Sequence, residues 1–213
     1  VTTVTIGFFD QATGTLTLDM EQPVAREARQ DIAGLLAPGT EMGCANPVTK
    51  YEFSPSPSGQ LQARDYWHNS FWEGPGRRSV IRVQGCPIQC DGCWVKETWD
   101  TTEGVSIHID QAADALLDPA YERDGVTILG GEPFAQPAAV ASLIGELRGR
   151  QPDLHITIYS GFTLQSLIRR NDPDVNLILS EVNVLIDGPY VKSKASTAGP
   201  WTGSGNQTVH YLR

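Results

Sequence analysis

The spacing of apolar residues changes several times along the chain, and each change marks an expected element. Alternation over Val4 to Phe9 and Thr15 to Leu18 predicts two short strands, and Asp10-Gln11-Ala12-Thr13-Gly14 between them makes a hairpin. Val24, Ala28, Ile32, Leu35 and Leu36 then recur at helical spacing, after Pro23 in a tolerated first turn and before the stop at Pro38-Gly39. Ser54-Pro55-Ser56-Pro57-Ser58-Gly59 reads as a turn or short linker. These segments predict an accessory extension over residues 1–65, made of hairpin, helix and linker, beside a main domain over 66–213.

From Val80 onward the order strand, loop, helix repeats. Strands are expected over Val80 to Gln84, Ser106 to Ile109, Gly125 to Leu129, His155 to Tyr159, Val182 to Ile186 and Thr208 to Leu212. Asp110 should cap a helix over Gln111 to Leu117, Thr163 one over Leu164 to Arg170, and Pro137 to Arg148 carries Val140, Leu143, Ile144 and Leu147 on one face. The alternation predicts an α/β fold with a parallel sheet and helices on its outer side. Too few units remain for eight strands, so an incomplete parallel β/α barrel is expected. In such folds ligands bind beyond the carboxyl ends of the strands, and the loops there are where chemistry is sought.

Composition narrows the setting. With 40% hydrophobic and 19% charged residues the chain is an ordinary globular one. No apolar run approaches a membrane span, and Val1 to Asp10 lacks the basic start and apolar core of a signal peptide, so a cytoplasmic protein with reduced thiols is expected. The net charge of −9 repels phosphate backbones, so neither nucleic acid nor membrane is an expected partner. Arg148, Arg150, Arg169 and Arg170 fall at expected helix ends, where they would complement the helix dipole.

Directly after the Val80 strand comes Gly85-Cys86-Pro87-Ile88-Gln89-Cys90-Asp91-Gly92-Cys93, which gathers three of the four cysteines. Gly85, Pro87 and Gly92 keep this run out of a helix and let three sulfurs face a common centre. A disulfide framework is one reading, but three neighbouring cysteines and the remote Cys44 staple poorly a chain long enough to bury its own core. Structural zinc needs a fourth ligand from Cys44, His68, His108, His155 or His210, none at a knuckle spacing. An iron–sulfur cube on three thiolates keeps one iron open for chemistry. Cys44 by itself reads as a small buried residue.

Other strand ends carry candidates with two readings each. Gly130-Gly131-Glu132-Pro133 forms a plain turn or lets a ligand approach the backbone. Ser160 satisfies backbone donors or meets a ligand. Asp187, in Asp187-Gly188-Pro189-Tyr190, caps its turn or touches cofactor or substrate.

The Cys86, Cys90, Cys93 spacing, with the string from Glu73-Gly74-Pro75-Gly76-Arg77-Arg78 to Trp99, resembles the small activating-enzyme branch of the radical S-adenosylmethionine superfamily. That branch includes the activases of anaerobic ribonucleotide reductase and of pyruvate formate-lyase. Trp94 after the third cysteine is similar to the ribonucleotide reductase activases, as is Gly203-Ser204-Gly205-Asn206-Gln207; Pro200-Trp201-Thr202 departs from the basic residue common before that stretch. The resemblance covers about residues 66 to 213. It implies a [4Fe–4S] cluster on Cys86, Cys90 and Cys93 and S-adenosyl-L-methionine on the open iron. It further implies that Gly130, Gly131 and Glu132 hold the methionine amino group, with Ser160, Asp187 and Trp94 beside the cofactor and no catalytic side chain beyond these groups. One electron from a donor such as flavodoxin or ferredoxin would then yield a 5′-deoxyadenosyl radical, and the implied substrate is a backbone glycine of a partner glycyl radical enzyme. Direct modification of a peptide or small metabolite by the same chemistry is an alternative reading, and a non-catalytic zinc or electron-carrier module is another.

Overall fold

A computed structural model of the chain describes residues 7–10, 15–18 and 59–213. The chain divides into two units, Val1–Glu41 and Met42–Arg213. In the first, β1 (Gly7–Asp10) and β2 (Thr15–Leu18) pair antiparallel with Gly7 opposite Leu18, the register a hairpin requires. The helix expected from Val24 to Leu36, Cys44, and the Ser54 to Ser58 run lie outside the described residues.

The second unit is built on a seven-stranded mixed sheet. In chain order its strands are β3 (Gln60–Ser70), β4 (Arg78–Val83), β5 (Val105–His108), β6 (Gly125–Gly130), β7 (His155–Ser160), β8 (Val184–Asp187) and β9 (Thr208–Tyr211). Across the sheet the order is β5-β3-β4-β6-β7-β8-β9. Strands β4, β6, β7 and β8 run parallel, and β3, β5 and β9 pair antiparallel at the flanks. The boundary expected between residues 65 and 66 falls inside β3. The parallel register is what makes a site possible. Val83 pairs with Gly130, Ile128 with Ile158 and Ser160 with Asp187, so the four carboxyl ends finish level along one edge.

Helices α1 (Ile109–Leu116), α2 (Pro137–Arg150), α3 (Leu164–Arg169) and α4 (Pro173–Glu181) connect these strands. The core lies between one sheet face, with Ile81, Val83, Val126, Ile128, Ile156 and Ile158, and helix residues such as Leu116, Leu143, Ile144, Leu147 and Ile178. Each such fully buried side chain contributes about 1.5–3 kcal/mol. Asp110 is not the cap of α1. The helix starts two residues earlier, at Ile109, with His108 as N-cap and no side-chain cap, so Asp110 sits in the first turn where its charge still meets the helix dipole. Thr163 does cap α3, accepting from Ser166 N at 3.2 Å. Helix α4 was not expected; Asp172 caps it by accepting from the amides of Asp174 and Val175, with Pro173 in its first turn. Arg148 and Arg150 do more than sit at a helix end. Arg148 reaches the Glu181 and Pro152 carbonyls and the Asn183 side chain, and Arg150 pairs with Asp114 and Glu146. Among the described residues no helix is long and apolar enough to cross a membrane.

The amino ends of the parallel strands are held by a fully buried arginine. Arg78 donates from Nε to Thr127 Oγ1 at 3.0 Å, from Nη1 to the Pro75 carbonyl at 3.2 Å, and from Nη2 to Thr157 Oγ1 at 3.1 Å and the carbonyls of His155 (3.0 Å) and Val126. His155 Nδ1 lies 3.2 Å from Nη1 and must accept, since a guanidinium only donates. Burial pushes the Arg78 guanidinium down to about 10, and burial together with the Arg78 charge pushes His155 down to about 4. One side chain thus crosslinks β4, β6 and β7. Arg78→Ala should cost about 3–5 kcal/mol, from the void and the carbonyls left unpaired, read as a lower urea midpoint of the cluster-free protein.

Candidate cofactor site at the level strand ends

The cysteine loop leaves the carboxyl end of β4 and is fixed at its root by backbone pairing. Gly85 N donates to Thr98 O at 2.8 Å, Cys86 N to Trp99 O at 3.1 Å, and Cys93 N closes a turn on Cys90 O at 3.1 Å. Cys86, Cys90 and Cys93 are all free and partly exposed. The amides of Gln89 and Ile88 lower the Cys86 thiol, and that of Tyr190 lowers Cys90, though burial outweighs them in both. Burial pushes the Cys86 thiol up to about 11, and the negative groups at Glu132 and Cys90 add to the rise. Burial likewise raises Cys90, beside Cys93 and Glu132. Thiolates crowded with one another and with a carboxylate, yet supplied with amide donors, suit a polycationic metal core better than an empty loop. The donor set therefore fits an iron–sulfur cluster. Among the described residues no three His, Cys, Asp or Glu side chains close on one point as a single ion requires; a cube takes each thiolate on a separate iron, so its ligands stand apart.

The β6 end packs tightly on the root of that loop. Gly131 N donates to Val83 O and Glu132 N to Gly85 O, both at 2.8 Å. Gly130 has φ +114°, and a Cβ there would lie 2.7 Å from Val83 N; a Cβ on Gly131 would collide with the Gly85 carbonyl. The paired glycines are thus explained by backbone meeting backbone, before any ligand is considered.

Glu132 is 0% exposed. Its Oε1 accepts from Phe134 N at 2.9 Å and Ser160 Oγ at 3.0 Å, and its Oε2 from Gly161 N at 2.8 Å. Burial pushes the carboxyl up to about 7 against the pull of those donors and of Arg170. Arg170 also reaches the Phe134 carbonyl at 2.9 Å and lies over the Phe162 ring at 4.1 Å.

Ser160 and Asp187 are buried at the ends of β7 and β8 and both serve neighbouring backbone. Ser160 Oγ accepts from Phe162 N at 3.0 Å while donating to Glu132. Asp187 accepts from Leu164 N at the start of α3, and its Oδ2 lies 3.1 Å from His210 Nε2 on β9. Trp94 is 78% exposed, its ring 5.8 Å from that of Tyr190. Tyr190, with its amide on Cys90, and Lys192, packed on Gly92, were missed in the sequence because they reach the cysteine loop only through the fold. Ile88 was missed too. A Cβ added to Gly161 would lie 2.5 Å from Ile88 Cδ1, so the β7 loop rests on the cysteine loop at that side chain.

Gly131→Ala should destabilise the cluster-free protein by about 1–3 kcal/mol, because the new methyl strikes backbone; thermal melts without iron or cofactor read it. Raising the pH from 5 to 8 should destabilise the cluster-free wild type relative to Glu132→Gln, by about 1–3 kcal/mol. The folded state keeps a proton on Glu132 up to about 7, whereas the unfolded chain releases it near 4.5, so stability falls across that window. His155 titrates in both proteins and cancels in the difference of urea midpoints.

A family model described as a 4Fe-4S single cluster domain matches residues 72–210. Anaerobic ribonucleoside-triphosphate reductase-activating proteins of Vibrio cholerae and Escherichia coli K12 are each 32% identical to the chain, over 70% and 72% of it and 97% and 100% of their own lengths. The phage T4 protein of that name is 29% identical over 65% of this chain and 86% of its own. Among solved structures, QueE from Escherichia coli overlaps 49% of this chain and 53% of its own, at 21% identity and a TM-score of 0.41. With the matched region spanning the cysteine loop and all four level strand ends, and its relatives aligned over nearly their whole lengths, the chain belongs to the 4Fe-4S single cluster domain family, in the small activating-enzyme branch of the radical S-adenosylmethionine superfamily.

Proposed function

We propose that the chain activates a glycyl radical enzyme of the anaerobic ribonucleotide reductase kind, with Cys86, Cys90 and Cys93 holding a [4Fe–4S] cluster and S-adenosyl-L-methionine as second cofactor. The observation that supports it most is the loop of three free, partly exposed thiols at the carboxyl end of β4, level with the ends of β6, β7 and β8. The shared name of the relatives supports the choice of partner. When bound, the two groups supply one-electron cleavage of a sulfur–carbon bond, with the electron from a donor such as flavodoxin or ferredoxin.

The chain's own residues hold and orient. The amides of Ile88, Gln89 and Tyr190 stabilise negative charge on the thiolates. The Gly130 to Glu132 loop offers its backbone to the methionine ammonium. Ser160 acts through the Glu132 carboxylate, and Asp187 through the first amide of α3. Trp94, exposed against Tyr190, borders the approach to the cysteine loop. In this reading the parallel strands curve as an incomplete barrel, open enough for a protein segment to bring its glycine in, and the protein works in the cytoplasm, where thiols stay reduced.

The test is anaerobic reconstitution with iron and sulfide, followed by S-adenosyl-L-methionine, a reductant and the partner reductase. A glycyl radical doublet in the electron paramagnetic resonance (EPR) spectrum is expected. Cys86→Ala, Cys90→Ala and Cys93→Ala should each lose the brown absorbance and the doublet. Deoxyadenosine released with no radical on the partner would point to a peptide or metabolite substrate, and zinc in place of iron and sulfide would overturn the proposal.

A further inference from the structure

We infer that Glu132 is a positioning residue for the cysteine loop and not the ligand of the cofactor's ammonium: its carboxylate fixes the place of Ile88, and with it the backbone of the turn that carries the Cys86 sulfur. The inference rests on the cluster site proposed above.

Two observations lead to it. The first is that the Glu132 side chain has no exposed surface and its oxygens already take three protein donors, Phe134 N, Ser160 Oγ and Gly161 N. Three of its roughly four acceptor sites are filled, and with no exposed surface the remaining one on Oε2 is out of an ammonium's reach unless the surrounding turn opens. The second is a continuous set of contacts from the carboxylate to the thiol. Oε2 holds Gly161 N at 2.8 Å, and Gly161 is bare so that Ile88 Cδ1 can rest against its Cα. Ile88 stands two residues after Cys86 in the turn that carries the sulfur, and its amide is among the groups that lower the Cys86 thiol against burial. On the other side of the same cysteine, Glu132 N holds the Gly85 carbonyl at 2.8 Å. Glu132 therefore grips the Cys86 turn from both flanks, by its own amide before the cysteine and by its carboxylate, through Gly161 and Ile88, after it.

The consequence is electrostatic. Hydrogen bonds to a cluster's sulfurs favour the more negative, reduced form and raise its potential. Loosening the Ile88 amide should lower the potential and expose the cluster to loss, even without the second cofactor.

Glu132→Gln and Ile88→Ala separate the possibilities. In Glu132→Gln one of the three donors must face an amide NH2 instead of an oxygen. In Ile88→Ala the Glu132 carboxylate and its partners stay intact, and only the contact that transmits its position is removed. Both variants and the wild type are loaded anaerobically without S-adenosyl-L-methionine. Both variants should show a lower cluster midpoint potential than wild type and iron loss to a chelator about 10-fold or more faster. Cofactor affinity, read from the change it makes in the EPR spectrum of the reduced cluster, should fall no more in Glu132→Gln than in Ile88→Ala. A wild-type potential and iron-loss rate in either variant would overturn the inference. So would a loss of cofactor affinity in Glu132→Gln alone, the result expected of a direct ammonium ligand. If Glu132→Gln fails to fold, Ile88→Ala decides by the same potential and iron loss. A wild-type protein that takes up no iron and sulfide would overturn the proposed function, and this inference with it.

Discussion

A carboxylate cannot be enclosed in protein without its oxygens being filled, and that constraint shapes the working edge of this molecule. Glu132 is enclosed, so the chain must bring donors to it. Phe134 comes from the same turn, but Ser160 and Gly161 come from the neighbouring strand. The ends of β6 and β7 are thereby drawn to a fixed separation, and the cysteine loop rests on both. The price is a carboxyl pushed up to about 7, because burial outweighs the surrounding donors and Arg170.

The opposite edge of the sheet has the same construction with the sign reversed. Arg78 collects carbonyls and hydroxyls from β6 and β7 and from the turn before β4, where Glu132 collects amides and a hydroxyl. Between the two lies an apolar layer, Val126, Ile128, Ile156 and Ile158, which has no directional preference of its own. Apolar packing sets that strands stack against helices; the buried ions set how far each strand runs before it ends. A site made of strand ends needs the second kind of control, because a slip of one residue would move every loop and turn every side chain to the other face.

Much of this was legible in the sequence. The strand and helix alternation after Val80 appears in part as expected, since buried parallel strands and one-sided helices leave strong apolar patterns; β5 and β9, expected in a parallel sheet, join it antiparallel instead. Strand β3 was not expected at all: Gln60, Gln62 and Arg64 alternate with only Leu61 and Ala63 on the inner face, and a proline- and serine-rich run precedes it. Helix α4 is short, and its start at Asp172-Pro173 also fits a turn. At the site, the cysteine spacing and the Gly-Gly-Glu-Pro turn stood out as local words. Most of what Glu132 touches could not be read there, because Ser160 and Gly161 lie at the end of another strand and only the β6 to β7 pairing brings them near. The same holds for Ser160 and Asp187, whose side chains turn to neighbouring backbone. A motif names the residue type a place demands, while the fold decides which of its atoms are free.

The segment after β8 covers the thiols from a distant part of the chain: Tyr190 gives its amide to Cys90, and Lys192 lies over Gly92. A ribosome makes the cysteine turn well before it makes that cover. Until residues 190 and 192 have been made, that side of the turn has no cover, so the sulfurs are fully housed only when the chain is nearly complete.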